Sequence, residues 1–213
     1  MIQVSPSLLS ADFSNLRDEI HSVSSADFLH LDVMDGHFVP NLTMGPCVIS
    51  SIRPHSNLIF DTHLMIDNPL KYIEPFAKAG SDYITVHMEQ PDDINECIRL
   101  IKSFGKKPGL AISPDTCVSV LEPYLDDISM ITVMSVYPGF GGQKFIETSY
   151  QKVRETKAMI AGKSILLSVD GGVCFNNVRH LEEAGVSMVV AGSSVFGAEK
   201  REDAIRILRG ELD

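Results

Sequence analysis

The stretch His30-Leu31-Asp32-Val33-Met34-Asp35-Gly36-His37-Phe38-Val39-Pro40 begins as a β-strand and ends as a glycine-containing loop. With the two-residue period of a strand, His30, Asp32 and Met34 point to one face, while Leu31 and Val33 point to the other and can pack against helices. An imidazole and a carboxylate on one inward face must be paired, metal-bound or solvated.

Around this strand, seven further β-rich runs alternate with helical patterns from one end of the chain to the other. The eight runs lie near Ile2 to Ser7, Phe28 to Met34, Leu58 to Met65, Tyr83 to Met88, Pro108 to Ile112, Met130 to Val136, Ile165 to Asp170 and Met188 to Gly192. Between them, Ile94, Cys97, Ile98 and Ile101 mark one helix face, with Pro91 near its start and Gly105 as its stop. Phe13, Leu16, Ile20 and Val23 do the same after Ser10 or Asp12, and Phe175, Val178 and Leu181 before Gly185. A further helix is expected from Asn68, as cap before Pro69, to Gly80, with Pro75 disturbing it. A weak repeat recurs at four strand starts, Ala26-Asp27-Phe28-Leu29, Ser81-Asp82-Tyr83-Ile84, Ile128-Ser129-Met130-Ile131 and Val186-Ser187-Met188-Val189, each placing a polar residue before an apolar strand. Regular alternation of eight strands with helices predicts an α/β fold, an eight-stranded parallel (β/α)8 TIM barrel, as one domain over residues 1–213. A doubly wound open sheet competes, but no strand-linked G-x-G-x-x-G is present.

Composition narrows the function. The 213 residues carry a net charge of −10 with 44% hydrophobic residues and no clustered Lys/Arg, which argues against nucleic acid or an anionic membrane surface as partner. No apolar run approaches the roughly 20 residues needed to span a bilayer, and Met1 to Pro6 has no signal-peptide pattern. Cys47, Cys97, Cys117 and Cys174 are widely spaced without C-x-x-C, and read as buried reduced thiols of a cytoplasmic protein.

The third strand repeats the device of the second: in Asp61-Thr62-His63-Leu64-Met65, Asp61, His63 and Met65 share a face, and the seventh strand ends in Ser168-Val169-Asp170-Gly171-Gly172. Strand ends of a barrel converge on one mouth, so His30, Asp32, His63 and Asp170 could surround a common point. A lone histidine is more often a core or surface residue, but two imidazoles and two carboxylates together suit one Zn²⁺, Fe²⁺, Mn²⁺ or Co²⁺. His87 and Glu89 form a spare pair ranked behind these ligands, and His21, His37, His55 and His180 read as surface residues. Pro138-Gly139-Phe140-Gly141-Gly142-Gln143 follows the sixth strand, and Asp170-Gly171-Gly172-Val173 and Ala191-Gly192-Ser193-Ser194 follow the seventh and eighth. Loops after strands seven and eight are the usual phosphate site of such barrels, built from backbone N–H groups. Met34, Met65 and Met134 sit inward at strand ends, where they would give a dry lining.

These residues resemble the ribulose-phosphate 3-epimerase family. The resemblance is carried by Ser5 to Phe13, His30 to Asn41, Asp61 to Met65, Pro138 to Phe145, Val169 to Val173 and Ala191 to Phe196, so it covers essentially the whole chain. It implies a barrel of the ribulose-phosphate-binding type that uses one divalent metal to interconvert D-ribulose 5-phosphate and D-xylulose 5-phosphate in the pentose phosphate pathway. Carried over, it makes His30, Asp32, His63 and Asp170 metal ligands, with Asp32 and Asp170 doubling as acid and base. Substrate contacts would come from Ser7, His63, Gly139, Phe140, Gly141, Gly142, Asp170, Gly171, Gly172, Gly192 and Ser193, under a cap of Met34, Met65 and Met134. A cytoplasmic homo-oligomer, dimer or hexamer, is the family expectation. Ser113 stands where the family usually shows Asn, and Met159 to Ser164 is shorter than is common. The rivals are an allulose-6-phosphate 3-epimerase, a non-catalytic sugar-phosphate sensor, and a decarboxylase of related type. The last would want Asp-x-Lys-x-x-Asp where this chain has Asp32-Val33-Met34-Asp35.

Overall fold

A computed structural model describes residues 1–212; residue 213, part of the expected domain, lies outside the described residues. Eight strands form one parallel sheet: β1 (Gln3–Pro6), β2 (Phe28–Met34), β3 (Ile59–Met65), β4 (Tyr83–His87), β5 (Lys107–Ile112), β6 (Met130–Met134), β7 (Leu166–Asp170) and β8 (Met188–Ala191). Their order, β1-β8-β7-β6-β5-β4-β3-β2, places sequence neighbours side by side all the way round. The remaining seam, between β1 and β2, is fastened by one parallel bridge, Ser7 to His30, and by the Asp27 amide donating to the Val4 carbonyl at 3.2 Å. The barrel is thus nearly closed, as the alternation of patterns predicts.

The polar residues before the strands extend the sheet downward. Asp27 Oδ2 accepts the Val4 amide at 2.9 Å and the Arg209 guanidinium at 3.0 Å. Asp82 does the same for the Phe60 amide at 2.8 Å and Arg53 at 3.1 Å. Two carboxylates at equivalent strand starts therefore satisfy strand amides that would otherwise be orphaned. Ser129 and Ser187 use their backbone groups alone, donating to Pro108 and Leu167 at 2.8 Å each.

Helices α1 (Leu16–His21), α2 (Pro46–Ile52), α3 (Pro69–Ala79), α4 (Ile94–Ser103), α5 (Ser149–Met159), α6 (Val178–Ala184), α7 (Ser193–Phe196) and α8 (Arg201–Arg209) lie along the chain between and after the strands. In α4 the four expected apolar residues are all buried, and the cap is Asp93, whose carboxylate accepts the Asn95 and Glu96 amides. α3 runs through Pro75 without a break and ends on Gly80 in the left-handed region, while Asn68 makes no side-chain cap bond. No α-helix follows β5; Val118–Tyr124 winds as a 3-10 helix with Pro123 inside it.

Two expectations are corrected. Phe13 and Phe175 do not face the core: each is exposed and precedes its α-helix, so those apolar stripes begin at Leu16 and Val178. All four cysteines are free, but only Cys97 is buried; Cys47 and Cys117 are exposed and Cys174 is intermediate, because they lie on α2 and in loops rather than on core-facing positions.

The outward strand residues, such as Leu29, Leu31, Val33, Ile84 and Val86, join the inward helix faces in one large core. Inside the barrel, Phe28, Tyr83, Met130 and Met188 fill the lower end, and Met34 and Met65 pack with Val39 at the upper end. Between these two apolar plugs the interior is polar.

Candidate metal and catalytic site

The polar layer is set by register. His30 on β2 pairs with Asp61 on β3, and Asp32 with His63, so the two strands present complementary groups at successive inward positions. His30 Nδ1 and Asp61 Oδ2 are 2.7 Å apart. Because an ionised carboxylate only accepts, this bond fixes a proton on Nδ1, so that in the neutral His30 ring the lone pair is on Nε2. That Nε2 faces Asp32 Oδ1 at 3.3 Å and Asp170 Oδ2, from the end of β7, at 3.5 Å. His63 Nδ1 faces the same two carboxylates at 3.6 and 3.4 Å.

Both facing nitrogens are fully buried, yet neither makes a hydrogen bond. One ligand atom from each of His30, Asp32, His63 and Asp170 lies within 4.8 Å of the others. Two orphaned imidazole nitrogens aimed at two carboxylates is an arrangement a divalent cation completes, and the donor set suits a first-row transition ion.

The electrostatics agree. Burial alone would push the His30 pKa down, but the Asp32 and Asp61 carboxylates outweigh it and hold it well above the usual value. His63 is likewise pushed down by burial and raised on balance, by its contacts with Asp170 and Asp32. Asp32 and Asp170 are pushed up by burial and lowered overall by the two histidines. Without a cation, protons on the imidazoles supply the positive charge that the carboxylates require.

Behind His63 lies a second line of groups. His63 Nε2 meets His87 Nε2 at 2.8 Å, and His87 Nδ1 meets Glu89 Oε2 at 3.0 Å. Glu89 Oε1 accepts the Ser113 amide at 2.8 Å and the Thr116 hydroxyl. Burial lowers the His87 pKa. Burial pushes Glu89 up, but its bonds from His87, Thr116 and Ser113 prevail and bring it down to about 2. The pair ranked behind the ligands therefore stands behind them, outside the group of converging donor atoms. Asp61, read only as sharing a face with His63, turns out to orient His30; its register opposite His30 was the available signal.

Above the cluster opens a cleft. Its wall includes Asp32 and, of the residues expected to touch substrate, Ser7, Met34, Met65, Met134, Gly139, Phe140, Gly142, Asp170, Gly171, Gly172, Gly192 and Ser193. Gly141 and His63 are absent from that wall: Gly141 is turned toward Ser10 and Leu9, and His63 is fully buried behind the carboxylates. Leu9, Pro138, Gln143 and Val173, from the stretches already quoted, also line it, as do Val136 and Val190, which carried no motif.

Hydrogen bonds hold the cleft in shape. Ser7 donates its hydroxyl to Asp32 Oδ2 at 2.6 Å. Asn41 donates its amide to the Gly139 carbonyl at 2.8 Å, tying the loop after β2 to the loop after β6. Gln143 donates to the Tyr137 and Phe140 carbonyls at 2.7 and 2.9 Å. At Gly172 the backbone has φ +63°, and a Cβ there would stand 2.5 Å from the Phe145 nitrogen, so only glycine lets these loops approach. The wall contains no Lys or Arg. Without a cationic side chain, the wall offers neutral donors to an anion, among them the backbone N–H of Ser193 at the start of α7.

Residues 3–196 match the family described as the ribulose-phosphate 3 epimerase family. The chain is 46% identical over 215 residues to the ribulose-phosphate 3-epimerase of Bacillus subtilis (strain 168), covering 99% of each chain. It is 44% identical to the chloroplastic ribulose-5-phosphate-3-epimerase of Arabidopsis thaliana, covering 96% of this chain and 75% of that one. Among solved structures, KGPDC from Streptococcus mutans superposes with a TM-score of 0.76 at 16% identity, covering 99% of this chain and 97% of that one. A 3-hexulose-6-phosphate synthase superposes at 0.70 and 18% identity, covering 100% and 99%. These last two likenesses concern the barrel alone.

Proposed function

The chain belongs to the ribulose-phosphate 3-epimerase family and is an epimerase, and from that premise we propose that it interconverts D-ribulose 5-phosphate and D-xylulose 5-phosphate by moving a proton at C3. The observation that carries the reading is the pair Asp32 and Asp170, two buried carboxylates from different strands that meet the same two imidazole nitrogens at the floor of the cleft.

The C3 hydrogen is acidic because the C2 carbonyl accepts the electron pair released when the C–H bond breaks. One aspartate takes the proton, leaving a cis-enediolate, and the other returns a proton to the opposite face of C3; the roles exchange with the direction of reaction. The aspartate that accepts the proton is held ionised despite burial by the two histidines, while the one that returns a proton enters the step as its carboxylic acid. Ser7 holds the second oxygen of Asp32, so that carboxylate cannot rotate freely. A divalent ion of zinc, iron, manganese or cobalt, held by His30, Asp32, His63 and Asp170, would supply positive charge where the C2 oxygen becomes negative. The phosphate would lie on the backbone N–H groups of the Gly171-Gly172 and Gly192-Ser193 junctions, fixing orientation. Met34, Met65 and Met134, all buried, would exclude water from the enediolate.

The same reading gives the enzyme a place in the pentose phosphate pathway of the cytoplasm and a homo-oligomeric state, dimer or hexamer, which light scattering checks. No helix among the described residues is long and apolar enough to cross a membrane. The deciding experiment measures turnover of ribulose 5-phosphate by protein stripped with a chelator and reloaded with Zn²⁺, Mn²⁺, Fe²⁺ or Co²⁺, with allulose 6-phosphate in parallel. Metal-dependent pentulose epimerisation is expected. Faster turnover of the hexulose transfers the assignment to the sibling enzyme, and no turnover of either sugar by metal-loaded protein overturns it.

A further inference from the structure

We propose that Glu89, acting through His87, fixes the tautomer of His63 so that its Nδ1 keeps a lone pair for a bound cation. The inference rests on the reading of His63 as a metal ligand, and concerns groups that touch neither substrate nor cation; Glu89 and His87 are positioning residues.

The line of hydrogen bonds carries one proton per link from the outside inward. The Ser113 amide can only donate, and the Thr116 hydroxyl also points its donor at the same oxygen, Glu89 Oε1. The other oxygen, Oε2, is an acceptor, so His87 Nδ1, 3.0 Å away, must carry a hydrogen. A neutral imidazole has a single N–H, which leaves His87 Nε2 as a lone pair. His63 Nε2, 2.8 Å from it, is then the donor, and the one proton of neutral His63 is placed there. His63 Nδ1 is left bare, aimed at Asp32 and Asp170.

Packing removes the alternatives. Both histidines are fully buried, so solvent offers no substitute partner. The His63 and His87 rings lie nearly parallel with centroids 4.9 Å apart, and the Phe38 ring packs against His87 at 4.9 Å. Only at Glu89, whose side chain is 27% exposed, does the line of bonds reach the surface. Ser113, which departs from the family's usual residue, contributes through its backbone, so the departure leaves the line intact.

Glu89→Gln discriminates. Its carbonyl oxygen stays with Ser113 and Thr116, which turns its NH₂ toward His87 Nδ1 and reverses every link. His87 is then protonated on Nε2 and His63 on Nδ1, where a cation needs the lone pair. Glu89→Ala removes the constraint without imposing the wrong tautomer. In chelator-competition titrations with Zn²⁺, the Gln variant is expected to bind about 10–100-fold more weakly than wild type, with the Ala variant between them. Long-range ¹H–¹⁵N spectra of metal-free protein, recorded at a pH where the imidazoles are neutral, are expected to show His63 protonated on Nε2 in wild type and on Nδ1 in Glu89→Gln.

A role in packing alone gives the opposite order, with the isosteric Gln milder than Ala; that order overturns the proposal. So does a wild-type spectrum with His63 protonated on Nδ1, a measurement that needs no variant to fold. Wild-type protein that binds no zinc overturns the metal reading instead, and the spectra still decide the tautomer.

Discussion

His30 and Asp61 occupy paired register positions on neighbouring strands and close a 2.7 Å hydrogen bond in the middle of the barrel, yet Asp61 Oδ1 has no partner. That free oxygen decides how the position tolerates change. In Asp61→Asn the amide can turn its carbonyl to His30 and its NH₂ into the unclaimed place, so the His30 tautomer survives and Zn²⁺ affinity falls less than tenfold. Asp61→Ala leaves His30 Nδ1 unsupported and is expected to cost about 10–100-fold in affinity. Competition titrations against a chromophoric chelator measure both.

On the proposed mechanism, Asp32→Asn and Asp170→Asn each remove a carboxylate that accepts or returns the C3 proton. Each is expected to lower kcat by about 10²–10⁴-fold or more, the usual size of an acid–base contribution, since each also weakens the cluster of donors. A coupled assay for xylulose 5-phosphate gives the rate. Incorporation of deuterium at C3 from D₂O separates the two halves of the reaction, and retention of full exchange and turnover in either variant would remove that aspartate from the mechanism.

Acid sensitivity follows from Glu89. Its pKa is about 2 in the folded chain against an ordinary 4.5, because the His87, Thr116 and Ser113 bonds outweigh burial. A carboxyl lowered on folding stabilises the fold fully above its unfolded pKa and loses that contribution as the pH falls toward the folded one. Metal-free wild type should therefore lose melting temperature between about pH 4.5 and pH 2, and Glu89→Ala should lose less across that window. Scanning calorimetry at stepped pH reads the difference.

Removing the cation should show in stability as well as in rate. Any ligand bound only by the folded state adds about 2.7 kcal/mol at a free concentration 100 times its Kd. Chelated protein is expected to melt several degrees lower and to be inactive, and readdition of the ion to restore both. Unchanged melting on chelation and reloading would count against a cation at His30 and His63.

Gly172→Ala tests the loops. Its backbone lies in the left-handed region, and the added methyl would meet backbone atoms of Phe145, which cannot swing aside as a side chain can. A loss of about 1–3 kcal/mol in stability, with a KM for the sugar phosphate raised more than kcat is lowered, is expected from denaturant melts and steady-state kinetics.

Much of this architecture was legible in the residues themselves. Period-two alternation on His30-Leu31-Asp32 and Asp61-Thr62-His63 reports which side chains face inward, and Asp170 is placed by the strand it ends. The His87–Glu89 pair was legible from its two-residue spacing, but the bond from His63 to His87 was not, because His63 pairs in register with Thr85 and meets His87 on a diagonal from β3 to β4, on which sequence spacing carries no information. Phe13 and Phe175 misled for a different reason: an apolar residue one turn ahead of a helix matches its period whether or not the helix has begun. The 3-10 turn of Val118–Tyr124 and the approach of Gly141 to Ser10 and Leu9 depend on packing against other loops, which no local pattern encodes.

The seam between β1 and β2 bears on how the molecule opens. Every other pair of neighbouring strands shares a ladder of at least three register pairs, whereas here one bridge, Ser7 to His30, and the Asp27 contacts with Val4 join the two edges. Unzipping costs least where the fewest backbone bonds must break, and Ser7, the residue at that bridge, also fastens Asp32. Amide exchange should therefore be fastest among strand residues at Val4 and Ser5, and the first stave to loosen would release the grip on Asp32 before the rest of the barrel yields.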